Sequence, residues 1–232
     1  MTQLPEISRQ EIRRGLDTLL ADPLSDDALD RLHGHYQELR RWSPRLALIG
    51  PGTRHEILAR HYGEALAALP LITSGGVLVD VGSGAGFPGF VLACVRSDLR
   101  LTLIEARGRK CAFLQAAARR AALPCQCLNA RVGDPLPEGV PERVAYYSVR
   151  ALRLPPKTLS AMAHRLRDEG RFLFWAGAED PELPVGFRVR RQVPIPGSKH
   201  RRVLEVEAPP ANGDLQRDEQ DSGYRQSEGR GR

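Results

Sequence analysis

The 232-residue sequence predicts an α/β fold: a mainly parallel seven-stranded sheet, an antiparallel C-terminal hairpin and an N-terminal helical cap. Three observations predict it. Short apolar runs alternate with helical stretches from residue 77 to residue 175, the pattern that parallel βαβ units require. The first of these runs empties into a glycine-dense loop, Gly82 to Gly89. The last two runs are joined around Pro196-Gly197-Ser198 instead of by a helix, which makes them a hairpin.

Taken in order, residues 5–42 read as helix. Ile7, Ile12, Leu16, Leu19 and Leu20 form one apolar stripe, and Leu29, Leu32, Tyr36, Leu39 and Trp42 form a cleaner second one. Ser25 before Asp26-Asp27 is a helix N-cap signal, and Pro44 stops the helix at Trp42-Ser43. Gly50-Pro51-Gly52 is a loop, and Glu56 to Leu69 resumes helix, carrying Arg60 and His61. Residues 1–70 are thus expected to form the cap and 71–208 the main domain. In that domain Val77–Val79 is a buried strand, Phe90–Val95 a helix, and Leu101–Ile104 a second strand ending on Glu105.

Arg107-Gly108-Arg109-Lys110 opens the alanine-rich helix Cys111–Ala122. Gln126–Asn129 is a third strand, followed by the loop Ala130–Asp134 and a proline-rich turn, Pro135–Pro141. Val144–Val149, a fourth strand, runs into Arg150. Leu159–Leu166 is a helix that Asp168-Glu169-Gly170 should stop, and Arg171–Trp175 is the fifth strand. Phe187–Pro194 and Arg202–Glu207 form the hairpin. Residues 209–232 hold too few apolar groups to offset ordering entropy and read as a disordered tail.

Composition narrows the function classes. No apolar run is long enough to span a membrane, and the N-terminus lacks the apolar core of a secretory signal. Cys94, Cys111, Cys125 and Cys127 lack metal-site spacing, which predicts four free thiols in a reducing cytoplasm and no metal. A net charge of +6 favours a polyanionic partner. Lys110, Lys157 and Lys199 are the lysines, so most of the positive charge is arginine, suited to phosphate forks.

The glycine loop carries the chemistry. Strand, glycine turn, helix, strand and terminal carboxylate make a Rossmann-like nucleoside site, in which backbone N–H groups approach the ligand and the acid accepts from ribose hydroxyls. Gly84-Ala85-Gly86-Phe87-Pro88-Gly89 also fits the dinucleotide pattern, with Glu105 nineteen residues past Gly86. The frame Asp80-x-Gly82-x-Gly84-x-Gly86, including Ser83, fits S-adenosylmethionine (SAM) better. An acid there serves the ligand's α-ammonium, whereas it would repel a pyrophosphate. A structural turn without a ligand and a nicotinamide site are the alternatives. The fourth strand ends Ser148-Val149-Arg150-Ala151, without the Asn/Asp-Pro-Pro-aromatic turn of exocyclic-amine methylation, and Cys125 stands before strand three, away from a cytosine-C5 nucleophile's place. Guanine N7, which has a free lone pair and needs no general base, is consistent with what is left.

The run Asp80 to Gly89 ends in Phe-Pro-Gly. Together with Arg109-Lys110, Phe113-Leu114, Ala130-Arg131-Val132, Arg150-Ala151 and Arg60-His61, it resembles the bacterial 16S rRNA guanine-N7 methyltransferases, the RsmG/GidB family, over residues 39–206. The resemblance implies a class I SAM-dependent methyltransferase fold. It implies cofactor contacts from Gly82 and Phe87, from Glu105 to the ribose, and from Val132-Gly133 around the adenine. It places Arg150 beside cofactor and base as the catalytic candidate, with Lys110, Arg131 and Lys199 facing RNA. The partner it implies is 16S rRNA or a small-subunit precursor, met by a cytoplasmic monomer. Trp42 to Ile49 lacks the family's asparagines and threonine, and Glu64-Ala65 replaces its Asp-Ser. Those departures keep open a methyltransferase for another RNA or small acceptor, or a non-catalytic SAM- or RNA-binding protein.

Overall fold

The computed structural model describes residues 3–53 and 55–210. The predicted tail lies almost wholly outside them.

Two helices make the cap. Helix α1, Arg9–Asp17, starts at a reciprocal capping box between Ser8 and Glu11, and α2, Asp26–Trp42, starts at the expected Ser25 cap, whose hydroxyl accepts from Ala28 N–H at 3.2 Å. Their stripes are core: Ile12, Leu16, Leu29, Leu32 and Leu39 are all fully buried. Gly34 lets α2 lie against the end of the helix Gly108–Arg120, since a Cβ there would stand 3.0 Å from Ala121 Cα.

The Glu56–Leu69 helix arrives in pieces. A π-helical segment, Leu58–Gly63, leads into a single turn, α3 (Glu64–Leu66), and then a 3₁₀ turn, Leu69–Leu71. A π segment inserts one residue per turn, and such insertions recur at functional sites.

The sheet has the order β3-β2-β1-β4-β5-β7-β6. Strands β1 (Gly76–Val81), β2 (Leu99–Ile104), β3 (Cys125–Leu128), β4 (Val144–Arg150) and β5 (Leu166–Ala176) run parallel. Strand β7 (Arg202–Glu207) is antiparallel to both β5 and β6 (Arg188–Pro194), as the hairpin predicted. Helices α4 (Gly89–Val95) and α5 (Gly108–Arg120) lie with the cap on one face, in a core containing Phe90, Phe113 and Leu78. Helix α6 (Pro156–Ala163) covers the other face, over Val79, Tyr147 and Phe172. Because β1 lies between β2 and β4, the chain reverses direction across the sheet there, and a crevice opens at the strands' carboxyl ends.

Two expectations need correction. The helix before β5 ends at Ala163, and Asp168-Glu169-Gly170 is no helix stop but a bulge inside β5. Pairing with β4 jumps from Leu166 to Arg171, Glu169 takes a φ of 61°, and Gly170 lies against Val144 where a Cβ would be 2.8 Å from the carbonyl oxygen. The thiols are not all free either. Cys111 of α5 and Cys127 of β3 form a disulfide, while Cys94 and Cys125 remain free. No helix among the described residues is long and apolar enough to cross a membrane, and no cluster of metal-binding side chains is present among them.

Candidate functional site

The corner after β1 is bare backbone. Gly82, Gly84 and Gly86 have φ values of 72°, 58° and 86°, a region that disfavours any side chain. The turn is tied down from inside. Gly82 and Ser83 donate their N–H groups to the Ile104 carbonyl at 2.8 and 3.0 Å, and Gly86 N–H donates to the Ser83 carbonyl at 2.7 Å. Around Gly84 there is room, for a Cβ would find nothing nearer than the Gly82 carbonyl at 3.7 Å and Lys110 Nζ at 3.9 Å. The predicted RNA-facing lysine therefore stands over the glycine corner.

Glu105 leaves β2 and turns under the same loop. One carboxylate oxygen accepts from Gly84 N–H at 2.9 Å and the other from Arg107 N–H at 2.8 Å. Each oxygen keeps a further lone pair for a ligand hydroxyl. Asn129 holds the Glu105 carbonyl at 3.0 Å, which brings the loop after β3, with the half-buried Val132 and Gly133, alongside.

Asp80 is buried in β1. It sits beside Ser148 in the β1–β4 register and accepts from its hydroxyl at 2.6 Å through Oδ1, while Oδ2 is buried without a partner among the described residues. Burial pushes its pKa up to about 6 against the pull of the Ser148 hydrogen bond. Helix α4 crowds it, since a Cβ on Gly89 would lie 2.4 Å from Asp80 Cβ.

Arg150 ends β4. Its Nη2 donates to the Arg60 carbonyl and to Glu64 Oε2, both at 3.2 Å, and its Nη1 is buried with no partner among the described residues. Burial lowers its pKa, and the Glu64 carboxylate opposes that effect. Across the corner, Leu152 is exposed and comes within 3.2 Å of a Cβ placed on Gly82. Leu152, Leu154, Phe174, Trp175 and Gly177 line a cleft of about 640 Å³ between the loops after β4 and β5.

The remaining predicted residues divide. Ser83 spends its hydroxyl on the Asp80 carbonyl at 3.0 Å. The Phe87 ring points into the cap, packed on His35, His61 and Tyr62, which leaves its main chain to a ligand. Arg131 and Lys199 are exposed, the first after β3 and the second in the β6–β7 turn, so they flank the crevice without meeting.

Sequence reasoning missed four groups. His35, fully buried, accepts at Nδ1 from the Tyr62 hydroxyl at 2.7 Å and donates from Nε2 to the Ala85 carbonyl at 2.9 Å, bracing the glycine loop from the cap. Burial holds its pKa near 4, so the ring is neutral. The other two are Ser148 and Glu64. Only Glu64, four residues after Arg60, carried a signal, the spacing of a helical ion pair.

Comparison with known proteins supplies the family. Residues 28–183 match the family model described as GidB, rRNA small subunit methyltransferase G. Proteins named ribosomal RNA small subunit methyltransferase G are similar to the chain. The one from Xanthomonas campestris is 35% identical over 196 residues, 81% of this chain and 90% of that protein. The one from Hyphomonas neptunium is 38% identical over 149 residues, 64% of this chain and 70% of that protein. Among solved structures, a SAM-dependent methyltransferase from Aquifex aeolicus superposes with a TM-score of 0.52 at 15% identity, covering 69% of this chain and 94% of that one. A mutant of MtNAS in complex with S-adenosylmethionine also gives 0.52, at 16% identity, covering 88% of this chain and 85% of that one. These two likenesses show the Rossmann-like methyltransferase fold. With the match spanning most of the chain, the protein belongs to the rRNA small subunit methyltransferase G family.

Proposed function

We propose that the chain transfers a methyl group from SAM to N7 of a guanine in 16S rRNA. One observation carries the cofactor half of this reading. At the bare glycine corner, Asp80 Oδ2 is a buried acceptor without a donor and Arg150 Nη1 a buried donor without an acceptor. Buried polar atoms of native proteins are almost always partnered. An α-amino acid zwitterion answers both, its ammonium toward Asp80 and its carboxylate toward Arg150. The glycines clear space for the rest of the ligand, Glu105 accepts from the ribose, and Val132-Gly133 border the adenine. A pyrophosphate would meet Asp80 instead.

When bound, SAM supplies an electrophilic methyl group on a sulfonium. The chain's own work is then positioning, which in enzymes contributes on the order of 7–11 kcal/mol. The corner and Arg150 fix the donor, and the cleft beside Leu152 takes the base. No proton needs removing from N7. That fits a site whose Asp80 and Glu105 are given over to the cofactor's ammonium and ribose, and whose His61 is held near a pKa of 4, first by burial and then by Arg150 and Arg60. Arg131, Lys199 and the exposed Arg107 and Arg109 surround the crevice with positive charge for the RNA backbone. Such a substrate places the protein in the cytoplasm.

The test is transfer of labelled methyl from SAM to small-subunit rRNA or its particles, with N7-methylguanine located by chemical cleavage. One guanine should be modified. Label in another atom, or in another RNA only, would reject the N7 reading in favour of a paralogue with a different acceptor.

A further inference from the structure

One buried carboxylate holds three arginines at the edge of this site. Glu64, on the turn that follows the π segment, has a side chain only 5% exposed. Arg60, one turn earlier, places Nε 3.2 Å from Glu64 Oε1, and Arg150 places Nη2 3.2 Å from Oε2. Arg201, from the turn between β6 and β7, donates through Nη1 to Oε1. Trp175 of β5 fixes the Glu64 main chain by donating its indole N–H to the carbonyl at 2.7 Å. Three elements remote in sequence thus converge on a single anion.

The charges do not balance. Three guanidinium groups face the Glu64 carboxylate, with Asp80 a second acid acting on Arg150, and burying an ion pair for stability alone gains little after desolvation. The surplus suits a place where a further anion arrives. The geometry singles out Arg150, because Glu64 and the Arg60 carbonyl occupy one of its terminal nitrogens and leave the other, buried, for something else. An unrestrained arginine carries rotamer entropy that a ligand would have to remove. The Glu64 contact removes part of it before binding.

We infer that Glu64 is a positioning residue for the cofactor: it pre-orients Arg150 so that Nη1 meets the carboxylate of the methionine moiety. This rests on the proposed reading of Arg150 and extends it to a residue outside the glycine corner. Arg60 and Arg201 hold the Glu64 carboxylate from the side away from Arg150, both at Oε1, and Arg201 ties the C-terminal hairpin to the site.

The experiment uses two ligands on the full chain. SAM carries the amino-acid moiety, and 5′-methylthioadenosine has the same nucleoside without it. Glu64→Gln should weaken SAM binding about tenfold or more, the scale of a lost charge-assisted hydrogen bond, and leave methylthioadenosine binding unchanged. Glu64→Asp keeps the charge one methylene short and should fall between. If Glu64→Gln does not fold, the Asp variant decides alone. Equal loss of both ligands, or loss of neither, in a folded variant would overturn the positioning role. Wild-type protein that binds methylthioadenosine and SAM equally would overturn the role of Arg150 beneath it. Wild-type protein that binds neither would overturn the cofactor reading itself.

Discussion

Gly89 is the position where helix α4 comes closest to the first strand, and Gly89→Ala measures how tight that approach is. The residue is helical, so alanine brings no backbone strain and the effect is steric. Its Cβ would lie 2.4 Å from Asp80 Cβ and 2.6 Å from Cγ, against an optimum of about 3.5–4.0 Å between carbon atoms. Neither side can yield by a rotamer change alone, because the obstruction is Asp80 Cβ itself. Helix and strand must part, at about 1–3 kcal/mol for an overpacked core. For a domain of this size that is a fall in melting temperature of about 2–12 °C. The same shift pulls Asp80 from Ser148, so SAM affinity should fall too. Thermal melts by circular dichroism with and without SAM are the assay. Gly52→Ala, with nothing within 4 Å of its Cβ, is the control and should be neutral or slightly stabilising. A Gly89→Ala protein melting within a degree of wild type and binding SAM normally would refute the close approach.

The other predictions separate stability from binding. Gly84→Val has space in the free protein but a φ of 58°, so it should cost only about 1–2 kcal/mol in a melt while abolishing SAM binding in a titration. SAM affinity should decline as pH falls through about 6, because Asp80 protonates there and loses its attraction for an ammonium, and Asp80→Asn should flatten that profile. His35→Ala strands the Tyr62 hydroxyl and the Ala85 carbonyl, a loss of about 1–3 kcal/mol for each group left unpaired, read by denaturant unfolding.

The two buried groups should also pull pH-dependent stability in opposite directions. His35 is depressed to about 4, so its contribution is complete above the unfolded value near 6.5 and is lost as pH falls toward 4. Asp80 is raised to about 6, so its burial is least costly below about 4 and becomes a penalty as pH rises through 6. Asp80→Asn should therefore expose a steeper loss of stability in acid than wild type shows, and an unchanged slope would contradict the assignment of Asp80.

What the sequence revealed was whatever is local. Val77 to Glu105 reads as strand, glycine turn, helix, strand and acid because each signal lies within a few residues of the next. The hairpin follows from Pro196-Gly197-Ser198 for the same reason. The contacts that make the corner a site are not local. Ser148 reaches Asp80 because β4 pairs directly with β1, across 68 residues of chain. Glu64 meets Arg201 across 137 residues, and no pattern of period two or 3.6 encodes that. His35 occupied a stripe flank as an ordinary helical residue, and only the docking of the cap on the glycine loop turns it into a brace. The π segment escaped because an inserted residue leaves composition unchanged. The β5 bulge escaped because Asp-Glu-Gly serves equally as a helix stop and as a bulge. Cys111 and Cys127 become neighbours only when α5 folds back over β3, so spacing could not pair them.

Beneath each of these proposals lies the claim that the corner between β1 and β2 takes a sulfonium nucleoside. Calorimetric titration of the full chain with SAM, alongside NAD, tests it most directly. Saturable binding of one SAM per chain, with no heat from NAD, is the predicted result. Binding of NAD in its place, or a flat titration with SAM, would contradict it.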